Sequence, residues 1–156
     1  MSPHHQISTT KNLSRDWQIE KLPGLNAEEQ LQLQVCGIKT TKQLLQAAQN
    51  PQARLILANQ LHVHIHHVNK WVALSDLARI PSIGTEYCGL LLHAGIASAV
   101  QLAATPTYRL HKQILRLQVA TMQRRDLCPA IELVQQWVQQ AKLVQGDLSN
   151  RKNIDW

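Results

Sequence analysis

Four histidines crowd one short stretch of the chain, His62, His64, His66 and His67. On a helix, His62 with His66, or His64 with His67, would share a face at the spacing with which paired imidazoles grip a transition cation. No carboxylate lies inside the cluster to orient a ring. Alignment of two Trp-containing segments sets His62 opposite Cys128 and His64 opposite Ala130, at a loop-to-helix junction. Surface or helix-capping histidines with no metal are therefore expected. Cys36, Cys88 and Cys128 form no C-x-x-C pair, and their odd number suits three unpaired thiols in a reducing compartment. The ten Asp and Glu residues are scattered, with Glu28-Glu29 the single adjacent pair. Two-metal phosphoryl chemistry needs several convergent carboxylates, and no nucleophile elbow, Walker loop or H-E-x-x-H stands in the chain. No catalytic residue, cofactor or small-molecule substrate is expected, and the protein reads as a binder.

The positive charge is the second feature. Sixteen Lys and Arg against ten acids give a formal charge of +6. Between Tyr87 and Arg125 there is no Asp or Glu, while Arg109, Lys112, Arg116, Arg124 and Arg125 fall there. At 100° per residue Arg109, Lys112 and Arg116 form one helical stripe, and Leu110, Ile114 and Leu117 another. An amphipathic helix with a basic outer face suits a phosphate backbone, an acidic protein partner, or simply water.

The elements that must carry these residues are helical. Leu, Ala, Gln and Val dominate the 156 residues, aromatics are 4%, and phenylalanine is absent. No apolar run approaches the roughly 20 residues that cross a bilayer. Residues 1–14 are polar without a signal-peptide core, so a soluble cytoplasmic protein without membrane insertion is expected.

The chain also repeats itself. An offset of 58 positions pairs Lys21 with Arg79, Leu22 with Ile80, Pro23 with Pro81, Leu25 with Ile83 and Glu28 with Glu86. It continues through Gly37 and Gly95, Ile38 and Ile96, Thr40 and Ser98, and Gln43 and Gln101. Two copies of one supersecondary unit follow, residues 15–72 and 73–145, between flexible tails 1–14 and 146–156. In the first copy, Asp16 to Leu22 reads as a short helical stretch ended by Pro23. After a tight turn, Asn26 with Glu29 forms a capping box for the helix Ala27 to Val35, which Gly37 ends in the left-handed region. Thr40 with Gln43, and Ser98 with Gln101, are further capping boxes. Asn50-Pro51 and Thr105-Pro106 each place an N-cap before a proline at the first helical position. Val68-Asn69-Lys70-Trp71-Val72 matches Val134-Gln135-Gln136-Trp137-Val138, so a tryptophan closes each copy as a core anchor. In the last helix Ile131, Val134, Trp137, Val138 and Ala141 make the apolar face.

Leu22-Pro23-Gly24-Leu25-Asn26 and Ile80-Pro81-Ser82-Ile83-Gly84 resemble the helix-hairpin-helix motif, whose usual core is apolar-Pro-Gly-apolar-Gly. With Leu77-Ala78-Arg79 before the second turn and Leu90-Leu91-Leu92-His93-Ala94-Gly95-Ile96 after it, Trp17 to about Leu143 resembles a tandem helix-hairpin-helix family. That family is common in photosynthetic bacteria, is sometimes labelled flap-endonuclease-like, and has no agreed activity. The resemblance implies an all-α fold, two tandem helix-hairpin-helix repeats packed into one compact unit. It implies sequence-independent nucleic-acid binding through turn amides and small residues: Gly24 and Asn26 in one copy, Ser82 and Gly84 in the other. Lys21 and Arg79 precede the turns and would attract a phosphate, whereas Glu28 and Glu86 follow them and would repel it. A protein adaptor docking on an acidic partner is the alternative.

Overall fold

The computed structural model describes residues 13–122 and 128–154. After a single 3-10 turn at Ile19–Lys21 come eight helices: α1 (Ala27–Val35), α2 (Thr41–Ala47), α3 (Pro51–Leu61), α4 (Ile65–Ala78), α5 (Gly84–His93), α6 (Ala99–Ala104), α7 (Thr107–Met122) and α8 (Ile131–Ile154). Among the described residues there is no strand, only an isolated bridge between Gln18 and Thr40.

Local chemistry sets most of the boundaries. Asn26 accepts from the Glu29 N–H at 2.7 Å while Glu29 accepts from the Asn26 N–H at 3.0 Å. The reciprocal pair satisfies two donors that the start of α1 would otherwise leave open. Thr40 and Gln43 repeat the box at α2, and Asn50 caps α3 ahead of Pro51. Gly37 and Gly95 lie at φ +85° and +98° behind α1 and α5, where a residue with a Cβ is strained.

Four local expectations are corrected. The helical stretch expected from Asp16 shrinks to Ile19–Lys21, because the backbone before it pairs with the segment entering α2: Thr41 N–H donates to Trp17 O and Ile19 N–H to Lys39 O. Ser98 caps α6, but the Gln101 side chain accepts from Ala97 N–H rather than from Ser98, so the second box is half formed. Thr105 does not cap α7. Its hydroxyl donates to Gln101 O, and α7 starts one residue later, at Thr107. Ile131, expected on the buried face of α8, is exposed, while Val134, Trp137, Val138, Ala141 and Val144 are buried.

Packing is organised by two long helices. α4 lies against α2, α3 and α5, and α8 against α6 and α7. With Val68, Trp71, Val72, Ala73, Leu74, Ser75, Leu77 and Ala78 all buried, α4 has little polar face and must sit inside the protein. Trp71 and Trp137 are among the largest fully buried side chains, as their closing positions in the two segments suggest. The helix α8 continues to Ile154, past the position where a polar tail was expected to begin. At the other end, Leu13 packs on the core and Arg15 N–H donates to Arg79 O. The rest of the expected N-terminal tail lies outside the described residues.

Candidate functional site

The two proline turns are alike in sequence and different in structure. In the first, Lys21, Pro23, Gly24 and Asn26 are all exposed. Gly24 stands at φ +84°, and no hydrogen bond among the described residues engages its N–H. Lys70, from the middle of α4, reaches over this turn: its Nζ is 3.3 Å from where a Cβ on Gly24 would stand. Lys70 carried no signal in the sequence, since nothing local links a residue of α4 to a turn preceding α1. Asn26, at the second glycine position of the motif, is extended (φ −82°), as its role as N-cap of α1 requires.

The second turn is closed by the protein itself. Ser82 N–H and Ser82 Oγ both donate to Oε1 of Gln140 on α8, at 2.9 and 2.7 Å. Ile83 and Gly84 N–H both donate to Ile80 O, and Ser82 O accepts from the Trp137 indole N–H at 3.1 Å. Gly84 is buried at φ +54°, with Trp17 directly over it. Arg79, counted above among the phosphate attractors, is buried. Its Nε donates to Asp76 at 2.7 Å and Nη1 donates to Ser14 Oγ at 3.2 Å, while Nη2 is buried without a partner. Asp76 also accepts from Ala99 N–H at the start of α6, so Arg79 belongs to a joint between α4, α6 and the N-terminal segment.

The basic stripe sits where periodicity places it. Arg109, Lys112 and Arg116 are exposed on α7, with Leu110 and Ile114 buried beneath. Arg124 and Arg125 lie outside the described residues. Asp76–Arg79 is the one ion pair among the described residues, so Lys21, Lys70, Arg109, Lys112 and Arg116 are uncommitted cations. Glu28 and Glu86 are exposed in the first turns of α1 and α5.

Two shallow clefts lie on the surface of the described residues. One, of about 240 Å³, is lined by Gly95, Ile96, Gln101, Thr105, Arg109 and Gln113. The other, of about 330 Å³, is lined by Cys36, Ile38, Ala47, Ala53, Ile56 and Leu57 together with Gln60, and carries no charge. Leu31, Val35, Leu55 and Ile56 are exposed large apolar side chains on α1 and α3, the helices that meet beside it.

The histidines occupy the α3–α4 junction. His62 ends α3 in the left-handed region at φ +57°, and His64 caps α4 by accepting from His66 N–H at 3.1 Å. Among the described residues no group of three or more His, Cys, Asp or Glu side chains is arranged to hold a metal ion. No helix among them is long and apolar enough to cross a membrane.

These features define an all-helical protein with one open cationic turn and one closed turn. Residues 23–144 match the family described as a domain of unknown function (DUF4332), and the chain belongs to that family. Neither a curated protein nor a solved structure matched the chain.

Proposed function

We propose that this chain is a non-enzymatic helix-hairpin-helix module that holds the phosphate backbone of nucleic acid without reading its sequence. The observation that carries the reading is the first turn. A left-handed glycine exposes an unengaged N–H beside the positive end of α1, and Lys70 lies against it with Lys21 nearby in sequence. A phosphate oxygen meeting such a turn gains a backbone donor and at least one cation, against the carboxylates of Glu28 and Glu29 in the first turn of α1, the second of them engaged with Asn26 N–H. The stripe of Arg109, Lys112 and Arg116 adds a second set of phosphate contacts.

The tandem architecture belongs to this proposal. It is supported by the offset of 58 residues and by the way helices pair: α2 and α3 pack on α4 as α6 and α7 pack on α8. In that frame the copies have diverged, the first keeping an open turn and the second using its turn as a packing joint.

The test is a salt titration of binding to mixed-sequence duplex and single-stranded DNA and RNA. Each phosphate contact contributes about −0.9 to the slope of log affinity against log salt on duplex DNA. We expect K70A and K21A each to reduce that slope by about 1, at every sequence equally. Absence of binding at low salt removes the reading.

A protein adaptor is the second reading. Closure of the second turn and the uncharged cleft beside Leu31, Val35, Leu55 and Ile56 favour it, with the basic face free to dock on an acidic partner. Recovery from native lysate of one stoichiometric protein, surviving nuclease treatment, would select it.

A further inference from the structure

We propose that His64 and His66 form a bidentate site for a divalent first-row transition cation of the Cu(II) or Ni(II) kind. The pairs that helical spacing singles out are His62 with His66 and His64 with His67. The structure joins a different pair. Because His64 is the N-cap residue of α4 and not yet helical, its ring swings back over the first turn, and its Nδ1 lies 2.7 Å from Nδ1 of His66.

Two imidazole nitrogens this close cannot both carry a hydrogen on the facing side, nor can both present bare lone pairs without repulsion. One proton between them is the arrangement available without metal. A divalent cation takes the place of that proton, which passes to Nε2 of its ring by exchange with water, and satisfies both Nδ1 lone pairs at once. Nitrogen ligands sit about 2.0–2.1 Å from such a metal. With the nitrogens 2.7 Å apart, the angle at the metal is about 80°. That is near the right angle between neighbouring ligands of a tetragonal or square-planar site, and far from a tetrahedral angle, which favours Cu(II) and Ni(II) over Zn(II).

The surroundings leave the remaining positions to water. Both rings are exposed, and the His67 ring lies 4.2 Å from that of His66. Binding displaces the His66 N–H from His64 Nδ1, and with two protein ligands the site is an exchangeable one of modest affinity.

The experiment titrates the full chain with CuCl2, NiCl2 and ZnCl2 separately, by calorimetry and by tryptophan fluorescence. The His67 ring is 6.3 Å from that of Trp71, so bound Cu(II) falls within quenching range. His4 and His5, also candidate ligands by type, are replaced in every sample as H4Q/H5Q. We expect one equivalent to bind with Cu(II) tighter than Ni(II) and Ni(II) tighter than Zn(II). H66Q, which leaves the capping atom of His64 in place, and H64Q/H66Q should each weaken Cu(II) binding at least tenfold and abolish the quenching, whereas H62Q and H93Q should not. Undiminished Cu(II) binding by H64Q/H66Q, loss on H62Q without loss on H66Q, or tightest binding of Zn(II) would overturn the assignment.

Discussion

Gln140 and Ser82 are locked together by two hydrogen bonds to one oxygen: the Gln140 carbonyl accepts both the Ser82 N–H and the Ser82 hydroxyl. The contact satisfies the Ser82 N–H from inside the protein, which on the proposed reading leaves this turn no free donor there for a phosphate oxygen. Q140A would leave a partly buried backbone donor without a partner, a loss of about 1–3 kcal/mol. S82A removes only the hydroxyl bond and should cost about 1 kcal/mol. Urea denaturation of the two variants checks the order.

Gly84 and Gly37 share a left-handed backbone and differ in what surrounds them. A Cβ on Gly37 would meet nothing within 4 Å, whereas one on Gly84 would stand 3.2 Å from Cζ2 of Trp17. That indole is tethered by a 2.7 Å hydrogen bond from its N–H to Ala78 O, so it cannot yield freely. We expect G37A to cost about 1–2 kcal/mol from backbone strain, and G84A at least about 1 kcal/mol more from overpacking. Equal midpoints in chemical denaturation would contradict this account of the second turn.

Arg79 and Asp76 should respond unequally to truncation. Their side chains are only 8% and 20% exposed, and Asp76 also holds the first N–H of α6. D76A strands a buried guanidinium that already has one unpartnered nitrogen, at a cost of about 3 kcal/mol or more. R79M leaves an apolar chain of similar length and should cost clearly less. Thermal melts of D76A, R79M and the double variant would expose the coupling.

The three cysteines should label in sequence. Cys36 is exposed, Cys128 half-buried and Cys88 fully buried. Desolvation pushes the Cys128 thiol up and pushes that of Cys88 up to about 11, which withholds the reactive thiolate. Iodoacetamide at mildly alkaline pH should modify Cys36 first and Cys128 more slowly. Cys88 should react only at the rate of unfolding, as mass spectrometry of timed digests would resolve.

Stability should fall on mild acidification, with His66 contributing. Its folded pKa lies below the ordinary 6.5, so the unfolded chain takes up a proton before the folded one does. The contribution is therefore fully present above about pH 7 and is lost as pH falls through 6.5 toward the folded value. H66Q should flatten the melting temperature across that window; an unchanged pH profile would show that the ring's surroundings do not penalise its charge.

The starts of α1, α2 and α3 were legible in the chain because a cap and its partner stand three residues apart: Asn26 with Glu29, Thr40 with Gln43, Asn50 with Ala53. The basic face of α7 and the left-handed Gly37 are equally local, following from helical period and the absence of a Cβ. Tertiary structure alone decided which turn stays open. Lys70 reaching Gly24, Gln140 closing Ser82 and Arg79 reaching Ser14 depend on tertiary packing, and no spacing rule connects residues so far apart in sequence, whereas Arg79 meets Asp76 at the i,i+3 spacing of a helix. Two turns that read alike thus came to differ because side-chain hydrogen bonds from distant helices satisfy one set of backbone donors and leave the other to solvent.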